Sequence, residues 1–319
     1  MKLKIAIIVA IIALGAIIWA SVGGSKQEAV KLAPAWQLTD ANGYDSGALV
    51  DPVVSWAPDS KSLLFEGIGA KYYRACVYRW RVGDKSITRL VEGFCPNYIT
   101  NRKFLYLRSN PRVVVENDLV TGRETPVAAN LPKTDLWREL TGFSYNAARK
   151  SLELRFAKFT RYYEPGCEEV DLQGNYTGKV CRTTGGGILD RSDSPKGDRT
   201  AVILGDLTGD TRELRISRPG EEAKAKTLAA NDLGAVAWSP DGKTIVFGDG
   251  NRVKALNPND GSIVTVAGFP DKSEISQAAP FVCRLIWSPD SKYVAAVELV
   301  PGEANTFMML YVLDMSKAR

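Results

Sequence analysis

Histidine is absent from all 319 residues. That removes the commonest general base near neutral pH and the commonest metal ligand. Ser-His-Asp and Cys-His nucleophile systems are excluded with it, as are zinc sites built on histidine. The five cysteines include no C-x-x-C pair to replace them. No basic block or stripe occurs either: the formal net charge is +5, Lys2 and Lys4 supply two of those charges, and the rest are interspersed. Nucleic-acid binding therefore has no electrostatic footprint. With no catalytic constellation legible, the sequence reads as a non-enzyme with no cofactor, no metal and no catalytic residue.

What is present is ordinary globular composition, 45% hydrophobic and 24% charged, after an unusual start. "MKLK" precedes an uncharged apolar run from Ile5 to Val22, with Trp19 near its far end. The run is longer than the usual apolar core of a cleaved signal and just long enough to span a bilayer as a helix. Cations ahead of it keep the N-terminus in the cytoplasm. The expectation is a single-pass signal anchor over residues 1–24 in a bacterial inner membrane, a linker over 25–34 and an exported body over 35–319. The alternative is a cleaved signal and a soluble periplasmic protein. Export places the cysteines in an oxidising compartment. Cys167 and Cys181 sit symmetrically about Gly174 in a hairpin and form the better disulfide candidate. Cys76 and Cys95 form a weaker one, and Cys283 is left over; all five as buried thiols is the other reading.

The body repeats itself. "SWAPDSKSLLFEG" at 55–67, "AWSPDGKTIVFGD" at 237–249 and "IWSPDSKYVAAVE" at 286–298 are near-copies, and three degenerate copies lie between the first two. Taking Trp56, Tyr98, Phe143, Asp193, Trp238 and Trp287 as equivalent gives six units of 42 to 50 residues. Ser-Pro-Asp-Gly suits a type I turn, which makes Asp59, Asp241 and Asp290 turn residues. The run after each turn is apolar on both faces and must be covered on both. Sheets stacked face to face around a ring provide that cover, so the expectation is an all-β, six-bladed β-propeller. "AWQLTDAN" at 35–42 resembles an outer strand with no unit ahead of it, while the last unit lacks one; the N-terminal strand is expected to complete the last blade.

"WSPDGK", "WSPDSK" and "WAPDSK", each followed by an apolar strand and a hairpin such as "DLVTGRE", resemble the TolB-type (PD40, WD40-like) propeller repeat over about residues 35–319. The resemblance implies the fold and leaves function open, because the repeat serves binding proteins, peptidase propellers and sugar-degrading enzymes alike. No α/β domain precedes the repeats as in TolB. Propeller lyases of the oligogalacturonate type depend on histidine at their metal site.

"TTGGGILD" at 183–190 lacks the ending of a phosphate loop, and "NPNDG" at 257–261 lacks a full calcium loop. Two clusters remain: Tyr72, Tyr73 and Arg74, and Arg161, Tyr162 and Tyr163. Both fall in loops between the second and third strands of their units, and tyrosine and arginine are enriched at binding hot spots. The functional expectation is a membrane-tethered propeller that contacts membrane or envelope proteins as an accessory or scaffold subunit. The alternatives are a periplasmic sensor or small-ligand binder, and a carbohydrate-active propeller using carboxylates.

Overall fold

The structure is a computed structural model that describes residues 30–37, 54–69, 74–109, 112–127, 138–147, 149–159, 163–180, 188–205, 212–219, 221, 225–269, 281–301 and 306–317. It is all-β, and the described strands form six four-stranded antiparallel sheets. After β1 (Val30–Gln37) the first sheet is β2 (Val54–Trp56), β3 (Ser62–Gly69), β4 (Arg74–Arg81) and β5 (Thr88–Glu92). The second is β6 (Phe94–Tyr98), β7 (Lys103–Ser109), β8 (Arg112–Asp118) and β9 (Glu124–Val127). The third is β10 (Arg138–Asn146), β11 (Ser151–Phe159), β12 (Tyr163–Asp171) and β13 (Tyr176–Val180). The fourth is β14 (Ile188–Asp193), β15 (Thr200–Gly205), β16 (Arg212–Ser217) and β17 (Thr227–Asn231). The fifth is β18 (Leu233–Trp238), β19 (Ile245–Asp249), β20 (Arg252–Leu256) and β21 (Ile263–Gly268). The sixth is β22 (Phe281–Trp287), β23 (Tyr293–Pro301) and β24 (Thr306–Asp314), with β1 as its outermost strand.

β1 runs antiparallel to β24, with Val30 opposite Val312 and Gln37 opposite Phe307. It begins inside the segment read from sequence as a linker. The first strands of neighbouring sheets lie against one another in the order β14, β18, β22, β2, β6, β10. First strands side by side with later strands diverging outward is the architecture of a β-propeller.

Each turn between first and second strands follows the chemistry its sequence dictates. Gly242 donates its backbone N–H to the Ser239 carbonyl at 2.9 Å, and Gly197, Ser60 and Ser291 do the same in their units. These four residues all have positive φ. Serine there is strained relative to glycine, but it ties sheets together: Ser60 accepts from the Asp290 N–H and Ser291 from the Asp241 N–H. Asp241 and Asp290 accept from their own serine hydroxyls at 2.7 Å, so they serve the turn.

Register corrects one repeat assignment. Trp56, Asp193, Trp238 and Trp287 each pair with a residue seven positions on: Leu63, Thr200, Ile245 and Val294. In the third sheet the residue that does so is Tyr145, opposite Leu152, rather than Phe143, opposite Leu154. A bulge between Leu140 and Gly142 and a turn without Pro or Gly, where Lys150 takes the left-handed conformation, disguised the spacing.

The anchor residues also latch sheet to sheet. The Trp56 indole donates to the Ile286 carbonyl at 3.2 Å and the Trp287 indole to the Ala237 carbonyl at 3.1 Å. Where the residue before the previous anchor is polar, its side chain takes the next anchor's backbone N–H instead. Ser55 accepts from Tyr98, Asn97 from Tyr145 and Ser192 from Trp238.

Candidate functional site

The five layers seen between described sheets are apolar. Leu64 and Val77 meet Phe104 and Tyr106 between the first and second sheets, and Leu105 and Val114 meet Leu152 and Val170 between the second and third. Ile203 and Leu214 meet Trp238 and Phe247 between the fourth and fifth. Val246 and Phe269 meet Trp287 and Tyr311 between the fifth and sixth, and Trp56 and Phe65 meet Val297 and Val312 between the sixth and first. Each buried Leu, Phe or Val there stabilises by about 1.5–3 kcal/mol.

The third and fourth sheets, which end this series of layers, each have one face built differently. Side chains alternate across a strand, so with Leu152, Leu154 and Val170 facing the second sheet, Glu153 and Glu169 lie on the opposite face of the third. They stand directly opposite one another on β11 and β12. Arg149 bridges them, at 3.0 Å from Glu153 and 3.2 Å from Glu169, whose side chain is only 6% exposed. Ser144 and Asn146 also reach Glu153. Ser144 precedes the third anchor, and its hydroxyl serves this carboxylate.

Ala201, Ile203 and Leu214 pack toward the fifth sheet, so the other face of the fourth sheet carries Arg191, Asp193, Glu213 and Arg215 around the fully buried Thr200 and Val202. Asp193 holds the anchor place that tryptophan fills elsewhere. It accepts from the Thr200 hydroxyl at 2.7 Å and pairs with Arg191 at 2.9 Å. Arg215 and Thr227 both donate to Glu213 and hold its carboxyl below the usual carboxylate range. These ion pairs join residues of one sheet, so each charged face is organised within its own sheet. Such a face can recognise a charged or strongly polar partner; as sheet-to-sheet packing it contributes little, because exposed pairs stabilise by about 0–1 kcal/mol each.

A second chemically distinct group is Glu66 on β3. It accepts the Cys95 backbone N–H at 3.2 Å, and burial pushes its carboxyl up to about 7. Cys95 is held at φ 55° directly after the turn at Gly93. The arrangement places a carboxyl that titrates near neutrality between the first and second sheets. Among the described residues no cluster of acidic or cysteine side chains could hold a metal ion.

Of the residues singled out from sequence, Tyr72, Tyr73, Arg161 and Tyr162 lie outside the described residues. Arg74 begins β4 and Tyr163 begins β12. Both loops join second to third strands and so open at the end opposite the Ser-Pro-Asp turns, on sheets that have the second sheet between them. Cys76 and Cys95 are buried and do not form the expected disulfide. Cys76 packs in the layer between the sixth and first sheets and Cys95 in that between the second and third, so two sheets separate them. Cys283 is a half-buried thiol outside any disulfide. Around the other candidate pair, Glu168 faces Val180 across the hairpin; Cys181 lies outside the described residues, as do Ile5, Trp19 and Val22 of the apolar run.

The charged faces were missed because the repeat was read as apolar on both faces. "SLELRF" at 151–156 and "RELRIS" at 212–217 alternate charged and apolar residues where "TIVFGD" does not. That alternation was the available signal.

No family model matches the sequence, and no curated protein matches it. Solved structures of similar fold include an oligogalacturonate lyase in complex with manganese, 14% identical, covering 92% of this chain and 100% of that one at a TM-score of 0.56. Another is the oligogalacturonate lyase of Vibrio parahaemolyticus, 12% identical, covering 91% and 98% at a TM-score of 0.53. TolB from Acinetobacter baumannii is 14% identical over 80% of this chain and 64% of that one, at a TM-score of 0.47. The reading of the chain as a non-enzyme is corrected by these likenesses: the shapes it shares are those of lyases, and carboxylate acid–base chemistry needs no histidine. At these identities the likeness is one of fold, and the fold it shows is the β-propeller.

Proposed function

We propose that the six sheets close into a six-bladed ring, tethered by Ile5–Val22 to the outer side of a bacterial inner membrane. In this reading the charged seam between the third and fourth sheets receives a protein partner of the envelope. The observation that carries it is the contrast among the layers. Five are closed by apolar packing, while one face of the third sheet carries Glu153, Glu169 and Arg149 and one face of the fourth carries Arg191, Asp193, Glu213 and Arg215. Charges placed where packing would stabilise more are costly to the fold, and recognition of a charged surface is the return on that cost. Arg161, Tyr162 and Tyr163, and Tyr72, Tyr73 and Arg74, are the further side chains offered to the same partner. A tether keeps the body at high effective concentration for membrane partners.

Purification from membranes in mild detergent tests this. A stoichiometric protein partner is expected with the native chain, and its loss with D193K/E213K at an unchanged melting temperature. A lone monomer from native membranes contradicts the reading.

A second reading rests on Glu66. A carboxyl that exchanges its proton near pH 7 suits acid–base work on a sugar acid, and the fold is shared with lyases that act on oligogalacturonate. Incubation with oligogalacturonate, followed by the ultraviolet absorbance of an unsaturated product, decides it. Turnover abolished by Glu66→Gln supports this reading, and no turnover by the native chain ends it.

A further inference from the structure

The turns that join first to second strands gather at one end of the molecule. The backbone N–H groups of Asp241, Asp290 and Asp59 donate to Ser291, Ser60 and Asn101, so the turns of the fifth, sixth, first and second sheets touch in succession. The third anchor is held to the second at Asn97, and the fifth to the fourth at Ser192. Each of the six turns carries an exposed cation: Lys61, Arg102, Lys150, Lys196, Lys243 and Lys292. Four of these lysines stand at one place in the repeat, directly before the second strand, once Tyr145 is taken as the third anchor. Along the chain the cations are dispersed; the fold collects them. The acids of the same turns are engaged locally. Asp59, Asp241 and Asp290 accept the backbone N–H groups of Lys61, Lys243 and Lys292, and Asp198 accepts the Ser194 hydroxyl. The second and third turns contain no acid, although Arg102 pairs with Asp118 of the neighbouring hairpin at 2.9 Å.

The chain enters its first strand at this same end. Val30 of β1 stands opposite Val312 of β24, and Asp314, two residues further along β24, pairs with Tyr293 beside the sixth turn. The Met315 N–H then donates to the Lys292 carbonyl at 2.8 Å. Residues 23–29 alone separate Val30 from the apolar run Ile5–Val22, and seven residues reach about 25 Å at full extension. We infer that the turn end is a membrane-facing surface whose lysines take the headgroups of anionic phospholipids. Lysines on it gain attraction once they come within a Debye length of an anionic bilayer, roughly 8 Å at physiological salt. Coincidence of the cations with the chain's point of entry favours a lipid surface over a soluble polyanion. The inference rests on Ile5–Val22 as the membrane anchor and adds an orientation to it. Loops between second and third strands, with Arg74 and Tyr163 at their edges, then point away from the bilayer.

Lysine footprinting of the full chain on vesicles tests the inference. The chain is reconstituted into phosphatidylcholine vesicles and into vesicles of equal parts phosphatidylcholine and phosphatidylglycerol, recovered by flotation and acetylated with a membrane-impermeant reagent. Lys158, opposite Glu164 at the far end of the third sheet, serves as the internal reference. Relative to it, Lys61, Lys196 and Lys243 should react about threefold or more slowly on the anionic vesicles than on the neutral ones. The difference should vanish in 1 M salt, where the screening length is about 3 Å. Equal rates on the two vesicles, or equal slowing at Lys158, overturn the inference while flotation leaves the tether standing. A chain that floats with neither vesicle ends the tether and the inference together. Equal slowing by duplex DNA on the detergent-solubilised chain at physiological salt would assign the surface to nucleic acid and overturn the inference as well.

Discussion

Three tryptophans share one sequence motif and do different work. Trp56 and Trp287 donate their indole N–H groups to carbonyls of the preceding sheet, whereas the Trp238 indole nitrogen is buried without an acceptor, its ring covered by Arg199 at 5.1 Å. A buried donor left unpaired costs about 1–3 kcal/mol. Trp238→Phe should therefore be nearly neutral, while Trp56→Phe and Trp287→Phe each destabilise by about 1–2 kcal/mol, read from urea midpoints at constant slope. The motif itself does not separate the three. The difference lies in whether the preceding sheet offers a side chain, as at Ser192, or only a carbonyl, as at Ala237 and Ile286.

Glu66 makes a separate prediction at the same scale. Its carboxyl is raised from 4.5 to about 7, so between those values the folded chain holds a proton that the unfolded chain has released. Stability then falls as pH rises through this window, on the order of 2–3 kcal/mol in total. Glu66→Gln keeps an acceptor for the Cys95 N–H and should flatten that part of the pH–stability curve. A native curve already flat between pH 4.5 and 7 contradicts the assignment.

Among elements, β1 stands out because it joins the chain's first described strand to its last, Val30 beside Val312. Removing residues 30–37 would expose the edge of β24 and unpin the sixth sheet from outside. The melting temperature should drop by several degrees in a single cooperative transition. An unchanged melting curve would mean that β1 is an ornament. The sequence disclosed that such a strand exists and which unit it completes, because outer strands share a wording. It misplaced the bounds, since the leading residues Val30–Pro34 lack that wording. Elements with intact Trp-x-Pro-Asp turns were legible throughout. The third sheet was displaced by two residues because a bulge and a left-handed Lys150 replaced the proline and glycine that mark the turn elsewhere.

For the whole molecule, the third and fourth sheets are where the repeat departs furthest from its own pattern. Asp193 replaces tryptophan, Ser144 serves Glu153, and alternating strands put carboxylates and guanidiniums where other layers put Leu and Phe. The fold was readable from what the copies share. The candidate site was not, because it depends on which strand face meets which neighbour, and only the register shows that. Apolar layers hold five junctions, and the charged faces of the third and fourth sheets are the place to look for a partner. Photo-cross-linking in intact cells tests that claim most directly. A photoreactive amino acid at Asp193, whose side chain is 56% exposed, should give a discrete adduct with an envelope protein. The same probe at Val120, 74% exposed on the second sheet, should give none. Adducts from position 120 alone, or the same adducts from both positions, would contradict the account.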